Sequence, residues 1–478
     1  MRKHVQGLIA AAVPLIFLTA CGGGNTPSPL VPSQTAANQA SDNGGTVLQP
    51  QDLGPASLHA AGATFPAEVY NLASQPAGVA TGAQALPGAG SLFASYGGTG
   101  HIYYCLTGSG FGKKMFIGDN IPGVTAPCAA LGATPTGAGG RTDPLDFVGS
   151  DQALKSTEYA DFKTNRLAAH GQPFEFPSVG GPIVFGYKQT DLPGLGAARL
   201  RLSRWTYCAI ANGTVRNWDD AAITKDNGVS VTGGKSLAIT FFYRSDSSGT
   251  SFLFQNHLNS VCGSAWPAPY NAAPYQSAGR NAQWGRGTNT TWLGPTTTGF
   301  QGASGNPGVL NGIQKTLGAT GYVEGAYAAR SARPVVSQAV LRNNAGDFID
   351  PTVPADVAAA LANVTSLNIT FGGASDGINL GTVGDTRTDC ILYVDPSHFS
   401  NPSAATAYPI VGISYLMFNG AHNTHLADVK RLVNFIVSPT GNSITSKFEY
   451  SPLSSSIQSV TRAAVNGTGS YSFKPCVQ

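Results

Sequence analysis

The chain has 478 residues, enough for two or three domains. Hydrophobic residues make up 42% of it and charged residues only 11%, against about 25% charged in an ordinary soluble domain; with 60 Gly and 31 Pro, this describes a sizeable core under a surface of turns and small polar residues, as exported proteins carry. A net charge of +3 without any run of Lys or Arg excludes a nucleic-acid-binding patch.

The N-terminus reads as a targeting segment. Arg2 and Lys3 precede an apolar stretch from Val5 to Leu18, which ends in Leu18-Thr19-Ala20-Cys21. Small residues before a cut suit a signal peptidase, and a Cys directly after them resembles the bacterial lipobox. Residues 1–20 are expected to be a lipoprotein signal peptide, with Cys21 the acylated new N-terminus and a lipid anchor to a membrane. Gly22 after the Cys favours the outer membrane. Residues 21–57 are polar, rich in Pro and Gly and aperiodic, the composition of a flexible tether. Ordered structure is expected from about Leu58.

Six further cysteines, Cys105, Cys128, Cys208, Cys262, Cys390 and Cys476, suit three disulfides in an oxidising compartment. Proximity favours Cys105–Cys128 and Cys208–Cys262, which leaves Cys390–Cys476; the pairing itself stays open. No C-x-x-C spacing points to zinc or redox chemistry.

Beyond residue 58, short apolar runs alternate with helical patterns, as in α/β architecture. Strands are predicted over 182–187 and 237–243. Helices are predicted over 252–258 and, with Leu426, Val429, Leu432, Val433 and Ile436 on one face, over 426–436. Residues 118–145 and 265–305 read as insertions or long loops. The tryptophans at 205, 218, 266, 284 and 292 read as packing residues. His422-x-x-His425 lacks the carboxylates that would make it a metal site.

Three segments are built to hold an anion, because backbone N–H groups and the helix dipole converge at a helix start. The first is Gly62-Ala63-Thr64-Phe65-Pro66, where Thr64 can cap and Pro66 suits the first turn. The second, 107–112, has glycines that allow close backbone approach. The third is Arg244-Ser245-Asp246-Ser247-Ser248-Gly249-Thr250-Ser251, at the carboxyl end of a predicted strand, where α/β ligand sites form. None matches a nucleotide-binding loop. A fourth segment, 146–151, ends in Asp151. A carboxylate beside an oxyanion is useful when the ligand keeps a proton: monohydrogen phosphate can donate to it, whereas sulfate cannot and leaves a buried acceptor facing an acceptor.

In this order the segments resemble the substrate-binding protein of the bacterial phosphate ABC transporter, the PstS family. The matching stretches are Ala61–Pro66, the Tyr104…Gly108-Ser109 turn, Asp146-Phe147…Ser150-Asp151, Phe176–Gly181, Asn217–Asp220, Arg244–Ser251, Gly321–Glu324 and Tyr408–Ile410. Cys105-Leu106-Thr107 and the two insertions depart from the family's pattern. The resemblance implies a two-lobed α/β fold of the periplasmic-binding-protein type II class, with the ligand cleft between lobes. Residues 58–180 and 405–478 would form lobe I, and residues 181–404 an inserted lobe II. It further implies that Thr64, Phe65, Ser109, Asp151, Arg244, Ser248, Gly249 and Thr250 bind inorganic phosphate. Thr64 and Phe65 would give backbone donors, Asp151 would accept the phosphate proton, and Arg244 would supply a charge-assisted pair. Asp246 would orient Arg244. No cofactor, metal or catalytic residue is implied. The expected partners are phosphate and a transporter permease, for a monomer with no nucleic-acid role. Two other uses of the same cleft compete: a secreted phosphatase, and a surface adhesin or phosphate sensor.

Overall fold

The computed structural model describes residues 58–71, 87–118, 145–276, 279–331, 333–362, 364, 390–468 and 475–478. The leader, Cys21, the tether, Cys128 and nearly all of the 118–145 insertion lie outside the described residues, and so does the expected Cys105–Cys128 bridge.

The strands run β1 (Leu58–Gly62), β2 (Ile102–Leu106), β3 (Phe147–Ser150), β4 (Phe174–Tyr187), β5 (Arg201–Leu202), β6 (Thr240–Arg244), β7 (Phe300–Ala303), β8 (Ala319–Glu324), β9 (Ser337–Gln338), β10 (Val340–Arg342), β11 (Phe348–Ile349) and β12 (Val411–Phe418). The main sheet has the order β2-β1-β3-β12-β4-β8-β6-β7, with β9 also on β4; β11-β10-β5 form a small second sheet. At one end β1, β2 and β3 are parallel; at the other, β6 is parallel to both β7 and β8. β1, β2 and β3 are buried along their whole length, as strands of a covered parallel sheet are, whereas β7, at the far edge, exposes Gln301 and Gly302.

The two groups meet through β4. Its residues Phe174–Pro182 pair antiparallel with β12, and Ile183–Tyr187 pair antiparallel with β8. All 14 residues of β4 are buried. The predicted strand over 182–187 is therefore the second half of a longer one. Its first half, with Pro177, Gly180 and Gly181, lacks the apolar run that marks a strand, because Pro cannot donate to a ladder. The sheet accommodates this with a bulge: Ser414 faces Val179 while Tyr415 faces Pro177, leaving Ser178 unopposed. Ser178 Oγ instead donates to the Ser414 carbonyl (2.8 Å).

The helix predicted over 252–258 begins at the glycine, Gly249–Val261, and Leu426–Ile436 is a helix as its spacing indicates. The strand predicted over 237–243 is displaced to Thr240–Arg244. The first anion-type helix is a single turn, Ala67–Tyr70. The disulfides Cys208–Cys262 and Cys390–Cys476 are formed, with Cα separations of 5.8 and 5.5 Å. Near the second bridge the chain returns to β4 before residue 405, since Ile391 bridges Glu175 and the Leu392 N–H donates to the Glu175 carbonyl. All five tryptophans are buried. Among the described residues no helix is long and apolar enough to cross a membrane.

Candidate functional site

Four chain segments converge where the two parallel groups face each other. Ser109 opens the helix Ser109–Ile117 directly after β2. Its N-cap, Gly108, has φ 84°, and a Cβ there would lie 2.6 Å from Asp246 Oδ2 and 3.1 Å from the Ser247 carbonyl. Only glycine combines that backbone with that approach. Asp151 follows the last residue of β3, and Arg244 is the last residue of β6. Ser248 caps the helix Gly249–Val261 by accepting from the Ser251 N–H (3.1 Å). The N–H groups of Ser109, Gly249 and Thr250 thus open first turns, where no carbonyl of the same helix can reach them.

The side chains interlock. Ser109 Oγ donates to Asp151 Oδ2 (3.3 Å) and accepts from the Asp151 N–H (3.1 Å). Ser414 Oγ donates to Asp151 Oδ1 (2.9 Å). Arg244 donates through Nε to Asp246 Oδ1 (2.7 Å) and through Nη2 to Asp246 Oδ2 (2.5 Å), a two-point fork. Its Nη1 reaches Thr250 Oγ1 (3.2 Å). Asp246 Oδ1 also accepts from the Gly305 N–H (3.0 Å). Asn306 ties the halves together: its backbone N–H and its Nδ2 each donate to Thr64 Oγ1 (3.1 Å), and Nδ2 also donates to Thr250 Oγ1 (3.2 Å). Gly110 N–H donates to the Ser247 carbonyl (2.9 Å). Thr64, Ser109, Asp151, Arg244, Ser248 and Thr250 are all at most 1% exposed. Phe65 is buried too, with its ring edge-on to Tyr450 and its carbonyl accepting from the Tyr450 hydroxyl (2.6 Å).

The two acids take opposite states. Burial pushes the Asp151 carboxyl up to about 7; Ser414, Arg244, Ser109 and Thr250 oppose it without cancelling it. Burial also acts on Asp246, but the Arg244 guanidinium outweighs it and holds that carboxyl below the ordinary range. Arg244 is in turn held charged by Asp246 against its own burial. The site therefore carries one neutralised ion pair and one carboxyl poised to gain or lose a proton near neutral pH.

All eight residues expected to touch phosphate, and Asp246, lie in this cluster. Ser247 and Tyr322, which lie in segments the sequence singled out without giving them a role, belong to it as well, and so do Asn306 and Ser414, which the sequence reading missed. Asn306 carried a usable signal, since Ser304-Gly305-Asn306 opens the helix Gly305–Lys315, with Ser304 as its N-cap, in the same small-polar pattern as the other starts. Ser414 carried none, lying inside a buried strand. Tyr322 accepts from the Arg244 N–H and contacts Ser251 Oγ (2.9 and 2.5 Å), which fixes the strand end against the helix start. His425 faces Asp146 through Nδ1 (3.0 Å). Among the described residues no group of three His, Cys, Asp or Glu is placed to hold a metal ion.

The chain is similar in sequence to the phosphate-binding protein PstS of Xylella fastidiosa (strain 9a5c), 32% identical over 221 residues that cover 45% of this chain and 49% of that protein. It thus spans about half the length of that relative. It is also similar to a Pseudomonas aeruginosa protein named alkaline phosphatase L, 26% identical over 335 residues, 69% of this chain and 72% of that one. In structure it shares the fold of a phosphate binding protein from Stenotrophomonas maltophilia, with a TM-score of 0.57 at 22% identity, covering 85% of this chain and 93% of that one. The family model described as the PBP superfamily domain matches residues 34–440. With most of its length matched and a two-lobed α/β architecture, the chain belongs to the PBP superfamily.

Proposed function

We propose that this protein captures inorganic phosphate between its lobes as the solute-binding component of phosphate uptake. The observation that carries the reading is Asp151, a fully buried carboxyl with Ser109 and Ser414 as donors, in a site where the Arg244 guanidinium is held by Asp246. A buried acceptor of this kind rewards an oxyanion that keeps a proton and penalises one that has none. Thr64 and Thr250 hydroxyls, the Arg244 guanidinium and the backbone N–H groups of Phe65, Ser109, Gly249 and Thr250 supply the donors for the remaining phosphate oxygens, while the Ser109 hydroxyl stays on Asp151; Ser248 shapes the last of these helix starts. Relatives named phosphate-binding protein PstS support the same ligand.

The proposal extends to architecture and location. Residues 58–180 with 405–478 form one lobe and residues 181–404 the other, with the stretch after Cys390 rejoining the first. The mature chain begins at the acylated Cys21, is tethered to the outer membrane by residues 21–57, acts as a monomer and delivers phosphate to a transporter permease. Isothermal titration of the ligand-free protein tests the central claim: saturable phosphate binding with little or no sulfate binding is expected, and equal affinity for both ions would overturn it.

One contact favours a second use. Ser109 Oγ donates to a carboxyl that titrates near neutral pH, the pairing of a nucleophile with a base, and a relative is named alkaline phosphatase L. Binding ranks first because Asp151 is then the acceptor of the phosphate's own proton. Release of phosphate from p-nitrophenyl phosphate, abolished by Ser109→Ala, would reverse that ranking.

A further inference from the structure

The helix Gly305–Lys315 follows β7, and its second residue, Asn306, is fully buried beside the cleft. Asn306 Oδ1 accepts from the Glu324 backbone N–H (3.1 Å). That group can only donate, so the amide has a single orientation, with Nδ2 turned towards the site. Nδ2 donates to two hydroxyls, Thr64 Oγ1 (3.1 Å) and Thr250 Oγ1 (3.2 Å). The backbone N–H of Asn306 opens a first turn, where its own helix offers no carbonyl, and it donates to Thr64 Oγ1 as well (3.1 Å).

A hydroxyl carries one proton and two acceptor lone pairs. On Thr64 both lone pairs are taken by Asn306, one by its backbone and one by its side chain. On Thr250 they are taken by Asn306 Nδ2 and by Arg244 Nη1 (3.2 Å). Thr64, Thr250, Asn306 and Arg244 are at most 1% exposed, so bulk water does not compete for these positions. Each hydroxyl is left with its proton alone, free for an acceptor in the cleft: an oxyanion oxygen, or the Asp151 carboxyl, which Thr250 also engages. Neither hydroxyl can turn round to accept. We infer that Asn306 is a positioning residue for oxyanion capture, which acts through Thr64 and Thr250 by holding both hydroxyls as donors. The inference rests on the reading of the cleft as a phosphate site. It gives Asn306 a part in specificity. Donors fixed before binding need no reorientation when the anion arrives, and a second proton on the ligand finds no acceptor at either oxygen.

A double-mutant cycle read by phosphate calorimetry on the full chain tests it. Asn306→Ala is expected to weaken phosphate binding by about tenfold in the parent protein, the order for losing a fixed donor to a charged group. In a Thr64→Val, Thr250→Val background, which has no hydroxyls to hold, the same change should cost less than about threefold. A residue that only packs would cost the same factor in both backgrounds, and equal factors would overturn the proposal. The pH profile is a second readout. With its hydroxyls free to accept, Asn306→Ala should lose less affinity than the parent between pH 8 and pH 5.5, as phosphate gains its second proton; a profile parallel to the parent's would also overturn it. Asn306→Asp keeps the size of the side chain and an acceptor for Glu324, and replaces the alanine variant in the cycle if that one fails to fold. Its carboxylate draws the hydroxyl protons away from the cleft, so its loss should be larger in the parent than in the valine background, where only charge repulsion remains. A parent protein that binds no phosphate would overturn the phosphate reading itself, whereas a parent that binds it, with no coupling in the cycle, overturns this inference alone.

Discussion

Ser414 Oγ donates to Asp151 Oδ1 at 2.9 Å across 263 residues of sequence. The contact follows the antiparallel register of β12 on β3, which pairs Tyr415 with Ser150 and so brings Ser414 beside Asp151, while the Ser414 carbonyl is held by Ser178 of β4. Cross-strand register thus supplies the second donor to the acid that distinguishes one oxyanion from another.

Removing that donor leaves the carboxyl with Ser109 and the more distant Arg244 and Thr250. Ser414→Ala is expected to raise the Asp151 pKa above its present value of about 7 and to weaken phosphate binding by about tenfold, the worth of one hydrogen bond to a charged group. Titration calorimetry at pH 8 checks the affinity; an unchanged constant would mean that Ser414 only packs.

Asp151 itself should set both selectivity and the pH dependence of stability. Its native pKa of about 7 lies above the 3.8 of an ordinary aspartate. The native state therefore holds a proton that the unfolded chain has released, and the stability contributed by this group falls as pH rises from about 4 to about 7. The full effect is on the order of 4 kcal/mol at about 1.4 per pKa unit. In phosphate-free buffer, Asp151→Asn should melt higher than the parent at pH 8 and match it near pH 4. Thermal melts across that window show the sign.

Selectivity should follow the same proton. Above pH 7 the ionised Asp151 accepts from protonated phosphate and repels sulfate; below it the acid becomes a donor. The ratio of phosphate to sulfate affinity is expected to shrink between pH 8 and pH 5.5, and to be small at both in Asp151→Asn. A ratio independent of pH in the parent protein would contradict this role.

Arg244 is fully buried against Asp246, so losing it strands a buried carboxylate. Arg244→Met is expected to cost about 3–5 kcal/mol of stability as well as phosphate binding, whereas the double variant with Asp246→Asn recovers stability but not binding. Chemical denaturation and calorimetry on the same samples separate the two effects.

Gly249 tests closure. A Cβ there would lie 2.5 Å from Asp151 Cβ and 2.7 Å from Asp151 Oδ2, closer than side chains approach. Gly249→Ala should keep each lobe folded, since alanine suits a helix start, yet hold the lobes apart. The measurable outcome is a larger radius of gyration in the presence of phosphate than the parent shows, with affinity reduced by at least about a hundredfold if one such clash costs some 3 kcal/mol.

Most of what the site contains is local in character and so could be read along the chain. Gly108 and Ser109, Arg244 at a strand end, and Ser248, Gly249 and Thr250 at a helix start are defined by cap and turn chemistry acting over a few residues. The alternation of apolar runs and helical patterns likewise specified α/β architecture, because burial on both faces leaves a continuous apolar run. The first half of β4 was hidden because Pro177 and paired glycines contradict a strand locally, and only pairing with β12 overrides them.

Sequence alone determined the kinds of group that would hold an anion and the α/β frame that carries them. Tertiary structure alone decided which groups meet: Ser414 with Asp151, Asn306 with Thr64 and Thr250, Tyr322 with Arg244. It also decided the charge states, because one carboxyl was buried beside hydroxyls and the other beside a guanidinium. The physical reason is range. Caps and periodicity act over one or two turns of chain, whereas desolvation and cross-sheet contacts depend on residues hundreds of positions apart becoming neighbours.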